Sequence, residues 1–199
     1  WSFFLGLILI SSIVVLRQIK QWSVGVIIAG IVGIAAAYFI TSMSPSQTSD
    51  SYGMIFLSGA LAICAMILPG ISGAFILLVL GKYQLVVGAL GNMNLTIITV
   101  FLAGCVIGIL LFVRLISWLL HKYHNYAVAL LAGFMMGSLN KIWPWKNVLE
   151  YRLNRHGEQV PYLEQNILPT KYFETTGQSP MIMQAILFMA IGFFIVVVI

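Results

Sequence analysis

Long apolar runs alternate with short polar connections along almost the whole chain. A helix needs roughly 20 apolar residues to cross the hydrocarbon of a bilayer. The runs Trp1–Leu16, Trp22–Ser42, Leu95–Leu120, Tyr126–Asn140 and Pro180–Ile199 approach or exceed that length. The pattern predicts two transmembrane helices within 1–42, a broken segment over 53–90 and two more helices within 95–140. A polar extramembrane loop over 141–179 and a final helix over 180–199 complete the organisation. Ser179 suits an N-cap and Pro180 the first position of that last helix.

The segment over 53–90 departs from the others. No charge lies between Asp50 and Lys82, yet Pro69-Gly70-Ile71-Ser72-Gly73 interrupts the run. Its two pieces, Gly53–Leu68 and Ala74–Gly81, make helices of about 24 Å and about 12 Å, and neither crosses a core of about 30 Å alone. They form either one kinked span or a re-entrant hairpin that enters and leaves on one side. The Lys/Arg distribution among the loops leans toward the kinked span, and the segment lengths lean toward the hairpin. "GLILIS" (Gly6–Ser11) and "GFMMGS" (Gly133–Ser138) share a Gly-x4-Ser frame. Read as equivalent elements of inverted repeats, they favour the hairpin. Broken backbone at membrane depth survives only where protein buries it or a wet cavity faces it.

Composition agrees with a bilayer as solvent. Hydrophobic residues make up 61% of the 199 residues and charged residues 8%, against about 25% charged in ordinary globular domains. The chain reads as an all-α polytopic membrane protein. It opens at Trp1 inside one apolar run and closes in another, which reads as part of a longer protein. The net charge of +5 suits membrane lipids with anionic headgroups. Nucleic acid is not an expected partner, because the basic residues are scattered at span ends. Gly104/Gly108 and Gly133/Gly137 stand at GxxxG spacing, which predicts close helix packing.

Candidate chemistry is sparse. Cys64 and Cys105 lie in apolar runs and read as buried thiols, and the three histidines form no ligand set, so neither metal nor cofactor is expected. All five acidic residues fall in polar connections. No nucleophile–base pair or carboxylate cluster supports an enzyme. The break does offer backbone donors. Gly70 and Gly73 admit close approach of an anion and Ser72 adds a hydroxyl, while a plain structural kink is the competing reading. Arg114 follows nineteen uncharged residues and either snorkels to the headgroups or supplies a fixed positive charge. Lys82 reads as an interfacial anchor beside Tyr83. "NKIWPWK" (Asn140–Lys146) reads as an aromatic belt with basic anchors, or as a gate at the mouth of a groove.

"ICAMILPGISGAFILLVLGKYQLVVGAL", with "GFMMGSLNKIWPWK" downstream, resembles the bacterial polyprenyl-phosphate transporter family. The resemblance implies a multi-pass protein of the bacterial cytoplasmic membrane that returns undecaprenyl phosphate between leaflets for cell-wall synthesis. It implies an inverted-repeat fold with two PGxSG re-entrant elements, of which this chain holds one. The chain would then match the C-terminal two-thirds of the family, and the N-terminal half or a second copy would complete the site. Pro69, Gly70, Ser72 and Gly73 become the re-entrant tip by that resemblance. Arg114 and Lys141 join them as substrate-binding candidates by position and charge. The leading expectation is a lipid-phosphate flippase. The alternatives are a carrier or channel for a small soluble anion or ion, an enzyme on polyprenyl phosphates, and a packing subunit without transport.

Overall fold

The computed structural model describes residues 1–43, 48–68, 70–153 and 159–198. Among them, helices α1 (Ser2–Leu16), α2 (Val24–Ser42), α3 (Tyr52–Ile67), α4 (Gly73–Val79), α5 (Tyr83–Gly91), α6 (Leu95–Lys122) and α7 (His124–Ile142) follow in order. Strands β1 (Lys146–Leu153) and β2 (Gln159–Asn166) and helices α8 (Pro169–Thr176) and α9 (Ile182–Val198) complete the chain. Polar residues set several helix starts. Ser23 accepts from the Val26 N–H at 3.3 Å, Ser51 from Met54 at 3.4 Å and Asn94 from Ile97 at 3.3 Å. Each satisfies an amide that the first turn leaves without an intrahelical acceptor. α2 and α6 are long and apolar enough to cross a membrane. α4 and α5 together pass the same test but are bent by 110° at their junction.

The chain forms two compact units, 14–138 and 1–13 with 139–199. In the first, glycines set the helix contacts. A Cβ at Gly104 would collide with the Phe56 carbonyl, and one at Gly108 would lie 2.6 Å from the Ala60 Cα. Both partner numbers rise together, so α3 and α6 run parallel. α2 and α7 do the same, with Gly133 against Gly30 and Gly137 against Ile34 and Ala37. The GxxxG pairs therefore pack helices closely, as their spacing predicts. One apolar cluster joins Ile19, Val26, Val128 and Ala129, and a second joins Ala37, Ala65 and Ile71. Cys64 and Cys105 are free thiols directed at the carbonyls of Gly108 and Gly59, at 3.6 and 3.4 Å.

In the second unit α1 and α9 are antiparallel, with Gly6 against Met189 and Gly192 against Phe3 and Leu7. The polar stretch over 141–179 contains the sheet of an otherwise helical chain. It holds an antiparallel hairpin with Lys146 opposite Asn166 and Val148 opposite Glu164, followed by α8. Cross-strand hydrogen bonds satisfy backbone that a polar loop would leave to water. The last helix starts two residues after Pro180. α9 begins at Ile182, because the Pro180 carbonyl accepts from the Trp145 indole N–H at 2.8 Å and Met181 takes φ 43°. Neither residue then continues a helix.

Candidate functional site

The broken segment builds its tip from residues that tolerate crowding. Gly70 takes φ 94°, a conformation costly for any residue with a side chain. A Cβ there would overlap the Ser138 hydroxyl of α7, whose own proton goes to the Met135 carbonyl at 2.7 Å. Ile71 is buried against Ala37 and Ala65. A Cβ on Gly73 would stand 2.6 Å from the Ala62 carbonyl oxygen. The turn is thus wedged among α2, α3 and α7, as interrupted backbone in hydrocarbon requires. Pro69 lies outside the described residues. Ser72 is exposed and caps α4, accepting from the Phe75 N–H at 3.2 Å. The structural use of its hydroxyl therefore stands beside any role toward a ligand.

After α4, Gly81 turns at φ 68° and the chain reaches Lys82. Lys82 is not the interfacial anchor expected. Its side chain is 1% exposed and bonds to Asp50 Oδ1 and, at 2.7 Å, to the Thr48 carbonyl. The Thr48 hydroxyl donates to the Leu80 carbonyl at 2.7 Å. Residues just before α3 and just after α4 therefore meet. Sequence reasoning missed this pair because a buried lysine needs a partner, and the partner lies 32 residues away.

Arg114 is exposed on α6. Extending the parallel α3 and α6 from the Ala60–Gly108 contact at about 1.5 Å per residue brings Arg114 level with Met66, in the last turn of α3. Lys141 belongs to the other unit. Its ammonium lies 3.5 Å from Glu164 Oε2, which also accepts from Lys146 at 2.9 Å. Burial pushes the Glu164 carboxyl up, but the hydrogen bond and charge of Lys146, joined by Lys141, hold it below the usual glutamate range. Among the described residues no group of three or more His, Cys, Asp or Glu is placed to hold a metal.

Apolar helices, two of them meeting at a sharp bend, and glycines packed against neighbouring helices define the class, a helical membrane protein. The undecaprenyl phosphate translocase-like family matches residues 1–160, and the chain belongs to that family. It is similar to a polyprenyl-phosphate transporter of Vibrio cholerae, with 49% identity over 180 residues, 90% of this chain and 58% of the relative. A polyprenyl-phosphate transporter of Staphylococcus aureus is 34% identical over 95 residues, 45% of this chain and 34% of that protein. The chain thus spans little more than half the length of the first relative. Both names are those of transporters rather than enzymes. No solved structure matches the chain.

Proposed function

We propose that this chain belongs to a translocase that carries a polyprenyl phosphate, undecaprenyl phosphate in particular, across the bacterial cytoplasmic membrane. The observation that carries the reading is the closure of the broken segment by Lys82 and Asp50. A segment that returns to its entry point supports a re-entrant hairpin, and the packing of Gly70, Ile71 and Gly73 against neighbouring helices supports a site within protein rather than a bend in lipid.

In this reading the phosphate rests at the tip formed by Pro69, Gly70, Ser72 and Gly73. Backbone amides and the Ser72 hydroxyl supply short donors there, and Arg114, exposed on α6 level with the last turn of α3, supplies compensating charge. The polyprenyl tail stays in lipid. A second PGxSG element, from the rest of the protein or from a second copy, completes an inverted-repeat pair, and rocking of the two halves alternates access. Lys141, 3.5 Å from Glu164, is a further cationic candidate for the headgroup.

The test is translocation of fluorescent undecaprenyl phosphate by the full-length protein in phosphatidylethanolamine vesicles. Ser72→Asp keeps a capping oxygen for α4 while placing negative charge where the phosphate rests. Loss of translocation with unchanged thermal unfolding supports the site, as does loss in Arg114→Gln. Lipid left in its original leaflet by the unaltered protein overturns the reading. Flux of soluble phosphate through vesicles lacking polyprenyl lipid transfers the same tip to a small-anion carrier.

A further inference from the structure

Two turns at one end of the 14–138 unit are tied into a single surface. One is 17–23, between α1 and α2, and the other is 121–125, where α6 passes into α7. The Asn125 side-chain oxygen accepts from the Lys20 N–H at 3.4 Å, and its amide donates to the Gln21 carbonyl at 3.3 Å. Beneath them Ile19 and Val26 pack with Val128 and Ala129. The Tyr126 ring lies against Gly25, where a Cβ would stand 2.9 Å from it. This apolar layer leaves the charges outside. Arg17, Lys20 and Lys122 are exposed, and so is Trp22.

Charge in this unit is one-sided. Residues 14–138 contain five Lys or Arg and a single carboxylate, Asp50. Lys82 takes that carboxylate. Arg17, Lys20, Arg114 and Lys122 are left, and none of them forms an ion pair among the described residues. Arg114 belongs to the tip reading, and the other three stand at the two turns. Lys122 lies over the rings of Trp118 and Tyr123, 5.7 and 5.6 Å from their centroids, and those rings meet edge to face at 5.8 Å.

The length of α6 sets the depth of this end. Its 28 residues make about 42 Å, about 12 Å more than the hydrocarbon of a bilayer. The Leu95 end carries no charge, whereas Arg114 and Lys122 lie toward the other, so the overhang belongs to the last two turns. Trp118, Lys122 and Tyr123 then stand in the headgroup layer, where amphipathic rings and long basic side chains are most stable.

We infer that the two turns form a docking surface for the anionic phospholipids of the leaflet they face. Three positive charges held together by the Asn125 clamp, with no carboxylate among them, complement a negative lipid surface. The cations ring the ends of apolar helices with aromatic rings between them, which suits headgroups better than a nucleic acid or an acidic protein. The partner is a lipid of the surrounding bilayer, and its surface is separate from the tip.

Quenching of Trp22 fluorescence by chain-brominated lipid tests this surface locally. The full-length protein is placed in phosphatidylcholine vesicles, with Trp22→Phe as the baseline. At equal mole fraction, brominated phosphatidylglycerol is expected beside Trp22 about fivefold more often than brominated phosphatidylcholine, the weight of one basic residue at a lipid surface. The preference shrinks in high salt and falls to parity when Arg17→Gln, Lys20→Gln and Lys122→Gln are combined. Arg17→Lys with Lys20→Arg and Lys122→Arg keeps the charge and is expected to keep the preference. Loss of the preference in that variant overturns the inference, as does equal quenching by both lipids in the unaltered protein. A preference that survives removal of all three charges overturns it as well. Displacement of brominated phosphatidylglycerol by a small fraction of undecaprenyl phosphate gives the surface to the cargo and overturns the docking role. Translocation has no part in this readout, so failure of the tip reading leaves the expected quenching unaltered.

Discussion

Gly70 and Ser138 pack so closely that a side chain on the first would occupy the space of the hydroxyl on the second. One residue belongs to the broken segment and the other to α7, and their contact seats the tip. Gly70→Ala combines this collision with a backbone at φ 94°. It is expected to cost about 2–4 kcal/mol, read as a lower midpoint of unfolding in detergent. Adding Ser138→Gly relieves the collision but not the backbone strain, so the double variant recovers part of the loss. Full recovery would show that the strain at Gly70 contributes nothing.

The glycines of α3 and α6 divide by environment. Gly104→Ala pushes a methyl into the Phe56 carbonyl and is expected to cost about 1–3 kcal/mol. At Gly53 nothing lies within 4 Å of the added carbon. Gly53→Ala is expected to be neutral or to stabilise by about 0.4–1 kcal/mol. Thermal unfolding of both variants, side by side, checks the contrast.

Asp50 holds a buried lysine while itself remaining 70% exposed. Asp50→Ala leaves Lys82 with the Thr48 carbonyl but without a counter-charge. The expected cost is about 1–3 kcal/mol, below the full penalty of a buried pair because water reaches the carboxylate side. Lys82→Met removes the charge with its chain volume largely kept and is expected to cost less. Hydrogen exchange across 73–82 distinguishes them. Faster exchange in Asp50→Ala than in Lys82→Met is the predicted order.

The Glu164 carboxyl, held below its usual range, makes the hairpin sensitive to acid. A group whose folded pKa lies below its unfolded value stabilises above the unfolded value and loses that contribution as pH falls through the folded one. The protection of β1 and β2 amides against hydrogen exchange, taken relative to the intrinsic rate at each pH, is expected to fall as pH drops from about 7 toward about 3. Glu164→Gln flattens the response. An identical acid response in that variant would assign it to other groups.

Much of this fold is local in origin and legible in the sequence. Apolar length places α1, α2, α6, α7 and α9 within a few residues of their observed bounds. GxxxG spacing marks the faces where helices meet, whereas the caps Ser23, Ser51 and Asn94 act as locally but went unread beside the hydropathy pattern. The turn at Gly70 is legible for the same reason, since glycine acts on its own backbone.

The tertiary structure decided what depends on distant partners. It chose Phe56 for Gly104, Ser138 for Gly70 and Asp50 for Lys82, and it paired the strands of a stretch that reads only as polar. It also moved the start of α9, because the Trp145 indole takes the Pro180 carbonyl from 35 residues away. Hydropathy and turn chemistry act over a few residues, whereas these choices come from buried charges, carbonyls and hydroxyls that must find partners wherever the chain brings them.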